Sequence, residues 1–260
     1  MPTLYHSAQS RSVRPRWLLE EIGQPYELVS MSLQAGDQKK PEYLKVNPNG
    51  TVPALVDGDV ALYDSTVICE YLEDRYPEPP IYPREPRLRA ECRLLEDLAD
   101  TQLDAAAYAI GVVEFGRGDR HPEMHDAAAR DFLRLYDLLE ARLGARPFFC
   151  DTFSVADMAI YPHLVADAFL GFPLDPSRHA KLAAWLDRVG KRPAVARDDA
   201  DVLETLQRLQ AESKPAFDPY KVQWRSDRLE WVMKNGFADW LQQEMKEGRA
   251  FFPLPVSRAT

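Results

Sequence analysis

Apolar positions in this chain recur at two different periods. Up to residue 75, short apolar runs sit beside one or two helical stretches; beyond residue 87 the apolar positions fall almost throughout at spacings of three and four. Thr3 to His6 predicts a short strand, followed by the polar turn Ser7 to Ser10. Val13, Trp17, Leu18 and Ile22 then recur at helical spacing until Gly23 stops them. Pro15 fits a helix only in its first turn, where backbone donors are unused, so the helix should begin near Arg11 with Ser10 just before it. Gln24 to Ser32 reads as a second strand, and Gln34 to Lys45 as a polar loop or short helix. Val52 to Val56 and Val60 to Tyr63 flank Asp57-Gly58-Asp59, the composition of a hairpin turn. Asp64-Ser65-Thr66 is a capping cluster ahead of a helical pattern from Val67 to Arg75.

Tyr76 to Pro86 carries five prolines among eleven residues, which cannot be helix interior and marks a linker. Past it, Arg87 to about Phe115 predicts one long helix, and His121 to Leu143 another, with Phe132, Leu135, Tyr136, Leu139 and Leu143 on one face. Ser154-Val155-Ala156-Asp157 has a cap serine and an acid three residues later, a capping box with Asp in place of Glu. Arg178 to Lys191 gives a helix around Trp185, stopped by Arg192-Pro193. Leu229, Val232, Met233, Phe237, Trp240, Leu241 and Met245 keep an apolar face through Asn235-Gly236, as in a helix, a break and a second helix. The expected organisation is therefore a mixed α/β domain over 1–76, a linker over 77–86, and an all-helical domain over 87–260 with a helical extension from about 204.

Composition narrows the class. At 260 residues and 45% hydrophobic the chain can bury one or two ordinary cores, and its net charge of -9 argues against nucleic acid or an anionic membrane as partner. No apolar run approaches a membrane span, and MPTLYHS lacks the apolar core of a signal peptide, so a cytoplasmic location is expected. Cys69, Cys92 and Cys150 are far apart without CxxC spacing, which suits small core hydrophobes better than disulfides or zinc. His121 and His125 stand at the spacing of a metal pair but lack a nearby third ligand, so they are expected at the surface, and no metal is expected.

Two stretches carry candidate chemistry. Val52-Pro53 opens a strand with a residue that cannot donate to a ladder, as in a cis peptide that turns backbone groups outward. Ser65, at the start of the following helix, is placed either to cap it or to meet an anion. Ser10 has the same two readings at the first helix, while Tyr5, inside a strand, is expected in the core.

Taken in order, the βαβ-ββα pattern, Val-Pro before the third strand, Asp-Ser before the third helix, the proline linker and the Ser154 to Asp157 cap resemble a cytosolic glutathione transferase. The likeness covers roughly residues 3 to 200. LYHSAQSRSVR is similar to serine-type members of theta and related bacterial groups, and DSTVICEYLED also to bacterial β-etherases, lyases that use glutathione. The resemblance implies a thioredoxin-like α/β N-terminal domain, an all-α C-terminal domain, glutathione as cosubstrate and a small hydrophobic electrophile as the second substrate. It implies Ser10 as the thiolate-stabilising residue, with Thr51, Val52 and Pro53 on the cysteinyl backbone, Asp64 and Ser65 on the γ-glutamyl group, and Gln38 with Lys39 or Lys40 on the glycine carboxylate. The electrophile would face Tyr108, Val113 and Phe115, and the extension from Trp224 to Met245 would pack over this cleft or wrap the first domain. A homodimer through the first domain and the partner's long helices is also implied. A glutathione-dependent lyase or dehalogenase, or a non-catalytic binding protein on the same scaffold, are the alternatives.

Serine chemistry fits the demand. A thiol near pKa 8.5 is only a few per cent thiolate at neutral pH. A charge-assisted hydrogen bond of roughly 1.5 to 3 kcal/mol lowers that value by about one to two units, and the helix terminus adds about 0.3 to 1 kcal/mol in the same direction. Full ionisation then gains no more than about 30-fold, so larger acceleration has to come from positioning.

Overall fold

The computed structural model describes residues 1–8, 10–116, 121–213 and 222–251. Four strands, β1 (Thr3–His6), β2 (Glu27–Ser30), β3 (Ala54–Asp57) and β4 (Val60–Tyr63), form a sheet in the order β2-β1-β3-β4. β1 runs parallel to β2 and antiparallel to β3, and β3 and β4 close the predicted hairpin with Gly58 at φ +65°, which glycine adopts without steric cost. Strand alternation divides the residues of β1 between the two faces of the sheet. Leu4 enters the core with Trp17 and Leu18 of α1 (Val13–Glu21) and Ile68 and Leu72 of α3 (Ser65–Arg75). Tyr5 is half-buried, its ring edge-on to Tyr43 of the short α2 (Pro41–Leu44) at 5.3 Å. This is the thioredoxin-like arrangement that the sequence implies.

The linker is bolted down. Ile81 and Tyr82 are buried, and Glu73 of α3 accepts the Ile81 N–H at 2.9 Å. Helices follow: α4 (Pro86–Leu98), α5 (Asp104–Ile110), α6 (Pro122–Leu143), α7 (Val155–Phe169), α8 (Ala180–Gly190) and α9 (Pro193–Ala211). The single long helix expected from Arg87 is interrupted by wide π-type turns at Ala99–Leu103 and Gly111–Gly116. The first turn lies where Thr101 bonds back to the Asp97 carbonyl at 2.8 Å and where Asp100 meets Arg14 of α1 and Arg11 just before it. Pro193, expected only as a stop, also opens α9, since proline suits the first turn of a helix.

The capping box at Ser154 is formed. Asp157 is fully buried and accepts from Trp185 Nε1 at 2.7 Å, Phe149 N at 3.1 Å and Ser154 N at 2.9 Å; burial raises its carboxyl to about 6 against those bonds. The three cysteines are free and buried. His121 and His125 are not surface groups: they are half-buried, with rings 5.5 Å from Phe237 and 4.6 Å from Phe172. No described helix is long and apolar enough to cross a membrane.

The C-terminal segment forms α10 (Ser226–Lys234) and α11 (Ala238–Lys246), broken at Gly236 with φ +85°. α10 packs on α5, and Trp231 donates to Asp131 of α6 at 2.8 Å. Its partners are thus in the helical domain, and the alternative that it wraps the first domain is set aside for the described residues.

Candidate glutathione site

One end of the sheet gathers the residues singled out in the sequence. The β1–β3 register pairs Tyr5 with Ala54, and β3–β4 pairs Ala54 with Tyr63. The serine turn follows β1, Val52-Pro53 leads into Ala54, and Ser65 comes two residues after Tyr63. Serine turn, Val-Pro step and the start of α3 therefore share one edge.

A buried amide shapes the middle of that edge. Asn47 is fully buried and donates to the Thr51 carbonyl at 2.6 Å, while its own Oδ1 accepts from the Asn49 N–H at 3.0 Å. Tyr43 donates its hydroxyl to the same carbonyl at 2.5 Å. Gly50 sits at φ +58°, and a Cβ there would lie 2.8 Å from Lys39 Nζ and 2.9 Å from the Gln38 carbonyl. Only glycine fits, and the close approach brings Gln38 and Lys39 to this loop. The Val52–Pro53 peptide is cis, and Val52 stands outside the sheet ladders.

At the start of α3, Asp64 rather than Ser65 is the cap: its carboxylate accepts from Thr66 N at 3.0 Å and Val67 N at 3.4 Å. Asp64 takes φ +80°, which presents the carboxylate to the helix end. Ser65 is the first helical residue, buried, and among the described residues its N–H and hydroxyl enter no hydrogen bond. A helix N-terminus with an unused amide and hydroxyl suits an anion.

Ser10 belongs to a closed ring of serines. Its Oγ is 2.7 Å from the Ser7 carbonyl and 2.6 Å from Ser12 Oγ, and it accepts the Ser12 N–H at 3.2 Å. Ser12 Oγ in turn accepts the Ser7 N–H and donates to the Ser7 carbonyl, both at 2.9 Å. α1 begins at Val13, two residues later than expected, because Ser10 and Arg11 form the turn that precedes it. Ser7 was not singled out by sequence reasoning. Among the described residues its Oγ makes one long bond, 3.3 Å to the Ala8 carbonyl, and the signal for it was a serine just after β1.

Of the cations, Lys40 is paired with Asp37 at 2.7 Å, whereas Lys39 has no carboxylate within ion-pair distance among the described residues. Partial burial lowers the Lys39 ammonium. Gln38 keeps a buried Oε1 without a partner among the described residues. On the electrophile side, Tyr108 is half-buried on α5, with the Arg228 guanidinium 3.3 Å from its ring centroid and Trp224 edge-on at 5.9 Å. Val113 is buried among the core residues, and the Phe115 side chain lies outside the described residues. No cluster of three or more metal-ligating side chains occurs among the described residues.

Comparison with known proteins bears on the family. Residues 4–80 match the model of the glutathione S-transferase N-terminal domain and residues 122–188 that of its C-terminal domain. The chain is 32% identical over 201 residues to the Escherichia coli K12 glutathione S-transferase GstB, across 75% of this chain and 96% of the relative. Over 77 residues it is 49% identical to glutathione S-transferase Z2 of Arabidopsis thaliana, across 30% of this chain and 34% of that protein. The β-etherase LigF from Sphingobium sp. strain SYK-6 superposes with a TM-score of 0.69 at 26% identity, over 77% of this chain and 99% of that one. The chain belongs to the glutathione S-transferase family.

Proposed function

We propose that the chain binds glutathione along the edge formed by the serine turn, Val52 and Ser65, and transfers its thiolate to an apolar electrophile. The observation that carries this reading is Ser65, whose N–H and hydroxyl are unused among the described residues and which opens the helix at the end of the sheet where Val52 leads into β3. In this reading Ser65 takes the γ-glutamyl carboxylate, Asp64 keeps one carboxylate oxygen for the ammonium, and Val52 pairs with the cysteinyl backbone. Lys39, drawn to Gly50, faces the glycine carboxylate together with Gln38.

Ser10 is the proposed donor to sulfur. Its ring supports that role: Ser12 also donates to the Ser7 carbonyl, so Ser10 can exchange its own bond to that carbonyl for one to the thiolate without leaving the carbonyl unpaired. Ser7 is the second reading, favoured by the weakness of its single 3.3 Å bond. The likeness to a β-etherase supports a glutathione-dependent lyase as the alternative reaction on the same site.

Glutathione is expected to raise Tm. At a hundred times its Kd, ligand linkage contributes about 2.7 kcal/mol, and Ser65→Ala is expected to remove most of that shift without lowering the Tm of the free chain by more than a degree or two. A parent chain indifferent to millimolar glutathione would refute the proposal. Product analysis with an aryl halide and with an aryl ether then separates conjugation from lyase chemistry.

Pairing of two copies belongs to the same proposal. Tyr63 on β4, Val67 on α3 and Leu94 on α4 are large apolar residues left 38%, 47% and 53% exposed, and Arg93, next to Leu94, pairs with Glu70 of α3. A stable interface over this face would bury about 1,200 Å² or more. Leu94→Arg is expected to shift the chain to the monomer in sedimentation; an unchanged mass would place the interface elsewhere.

A further inference from the structure

An unbroken line of ion pairs joins the C-terminal helices to the serine turn. Arg228 of α10 holds Asp104 with Nε at 2.7 Å from Oδ2 and Nη2 at 3.2 Å from Oδ1. Asp104, the first residue of α5, also meets Arg11 Nη2 at 3.1 Å. Arg11 stands between Ser10 and Ser12 and donates to the Asp100 carbonyl at 2.7 Å, with Nη1 3.3 Å from Asp100 Oδ1. Arg14 pairs with Asp100 and lies 3.6 Å from Glu96, which accepts the Thr66 hydroxyl at 2.9 Å beside Ser65. The line thus touches both the turn proposed to hold sulfur and the helix end proposed to hold the γ-glutamyl carboxylate.

Its charges are balanced and poorly solvated. Three arginines face Asp100, Asp104 and Glu96, and the side chains of Arg228 and Asp104 are only 12% and 13% exposed. Burial opposes ionisation of Asp104, yet Arg228 and Arg11 outweigh it and hold the carboxyl well below the usual range. Arg11 is therefore divided between two carboxylates, and its position depends on how fully Arg228 satisfies Asp104. Without Arg228, Asp104 would draw Arg11 towards α5 and off the Asp100 carbonyl, displacing the turn that carries Ser10 and Ser12.

We propose that Arg228 is a positioning residue for the thiolate site, acting through Asp104 and Arg11, so that the C-terminal extension sets the geometry of the serine turn at the other end of the chain. This rests on the glutathione reading given above. Arg228 lies beyond the segments that match the family models, 4–80 and 122–188, so the brace comes from outside the matched parts of the chain.

The test uses the full chain carrying Arg228→Gln, with Arg228→Lys as the variant that keeps the charge. The readouts are the pKa of bound glutathione from thiolate absorbance in the ultraviolet, kcat and KM for glutathione, and Tm. Networks of this kind modulate function by roughly 3- to 30-fold. Arg228→Gln is expected to lower kcat within that range and to raise the bound thiol's pKa by about 0.4 to 1.5 units, with Arg228→Lys recovering part of both. A lowered Tm with unchanged thiol pKa and kcat would overturn the proposal and leave Arg228 as a clamp between α10 and α5. Absence of thiolate absorbance in the parent chain would overturn the glutathione reading itself, and this inference with it.

Discussion

Asp157→Ala is expected to cost about 3 kcal/mol of folding stability or more, read as a fall in the denaturant midpoint at constant slope. Four buried donors lose their acceptor together: the indole N–H of Trp185, the backbone N–H groups of Phe149 and Ser154, and the Ser154 hydroxyl. Each orphaned donor costs about 1 to 3 kcal/mol, against a total stability of roughly 5 to 15 for a domain. The pH dependence is a second signature. Burial raises the Asp157 carboxyl from 3.8 to about 6 in the folded chain, so the folded state binds the proton more tightly than the unfolded one. That contribution is fully present below about 4 and is lost as pH rises to about 6, at about 1.4 kcal/mol per pH unit. The stability gap between parent and variant should therefore narrow across that window. A gap that is flat or widens with pH would contradict burial as the dominant influence on this carboxyl.

Ser10→Ala is expected to raise the pKa of the bound thiol by about one to two units and to lower kcat/KM at neutral pH by roughly 10- to 30-fold. The limit is set by ionisation, since a thiol that is already a few per cent thiolate cannot lose more through this route. The serine ring provides a control. Ser10 also accepts the Ser12 N–H, so its loss should lower Tm as well as the rate, whereas Ser7→Ala removes only one long bond and should leave Tm nearly unchanged. If Ser7→Ala carries the pKa shift and Ser10→Ala moves Tm alone, the donor is Ser7 and the ring serves to hold it. If neither moves the thiol's pKa, thiolate stabilisation lies outside the serine turn.

The outline of the molecule was legible because its signals are local. Alternation in β1, the Gly58 turn, the proline run and the apolar face of α6 each depend on neighbours a few residues away, and all appear where the pattern placed them. Cap assignment was less secure at Asp64 and Ser65, because two adjacent capping residues compete and the choice falls to backbone geometry, with Asp64 at φ +80°. The start of α1 shifted for a related reason: hydrogen bonds among Ser7, Ser10 and Ser12 compete with the helix for its first residues. What could not be read was contact at long range. Asp100 and Asp104 look like solvated positions on a helix until the fold brings Arg11, Arg14 and Arg228 to them. His121 and His125 look like surface groups until Phe237 and Phe172 close over them. Val113 and Tyr108 share a helical stretch, yet tertiary packing sends one into the core and the other under Arg228.

The most direct measurement is a crystal structure of the chain with reduced glutathione. The expected result places the sulfur within hydrogen-bond reach of Ser10 Oγ, or of Ser7 Oγ on the second reading. It also pairs the cysteinyl backbone with Val52 and sets the γ-glutamyl carboxylate on the Ser65 N–H and hydroxyl. Glutathione bound away from this edge, or an edge left empty at saturating glutathione, would contradict it.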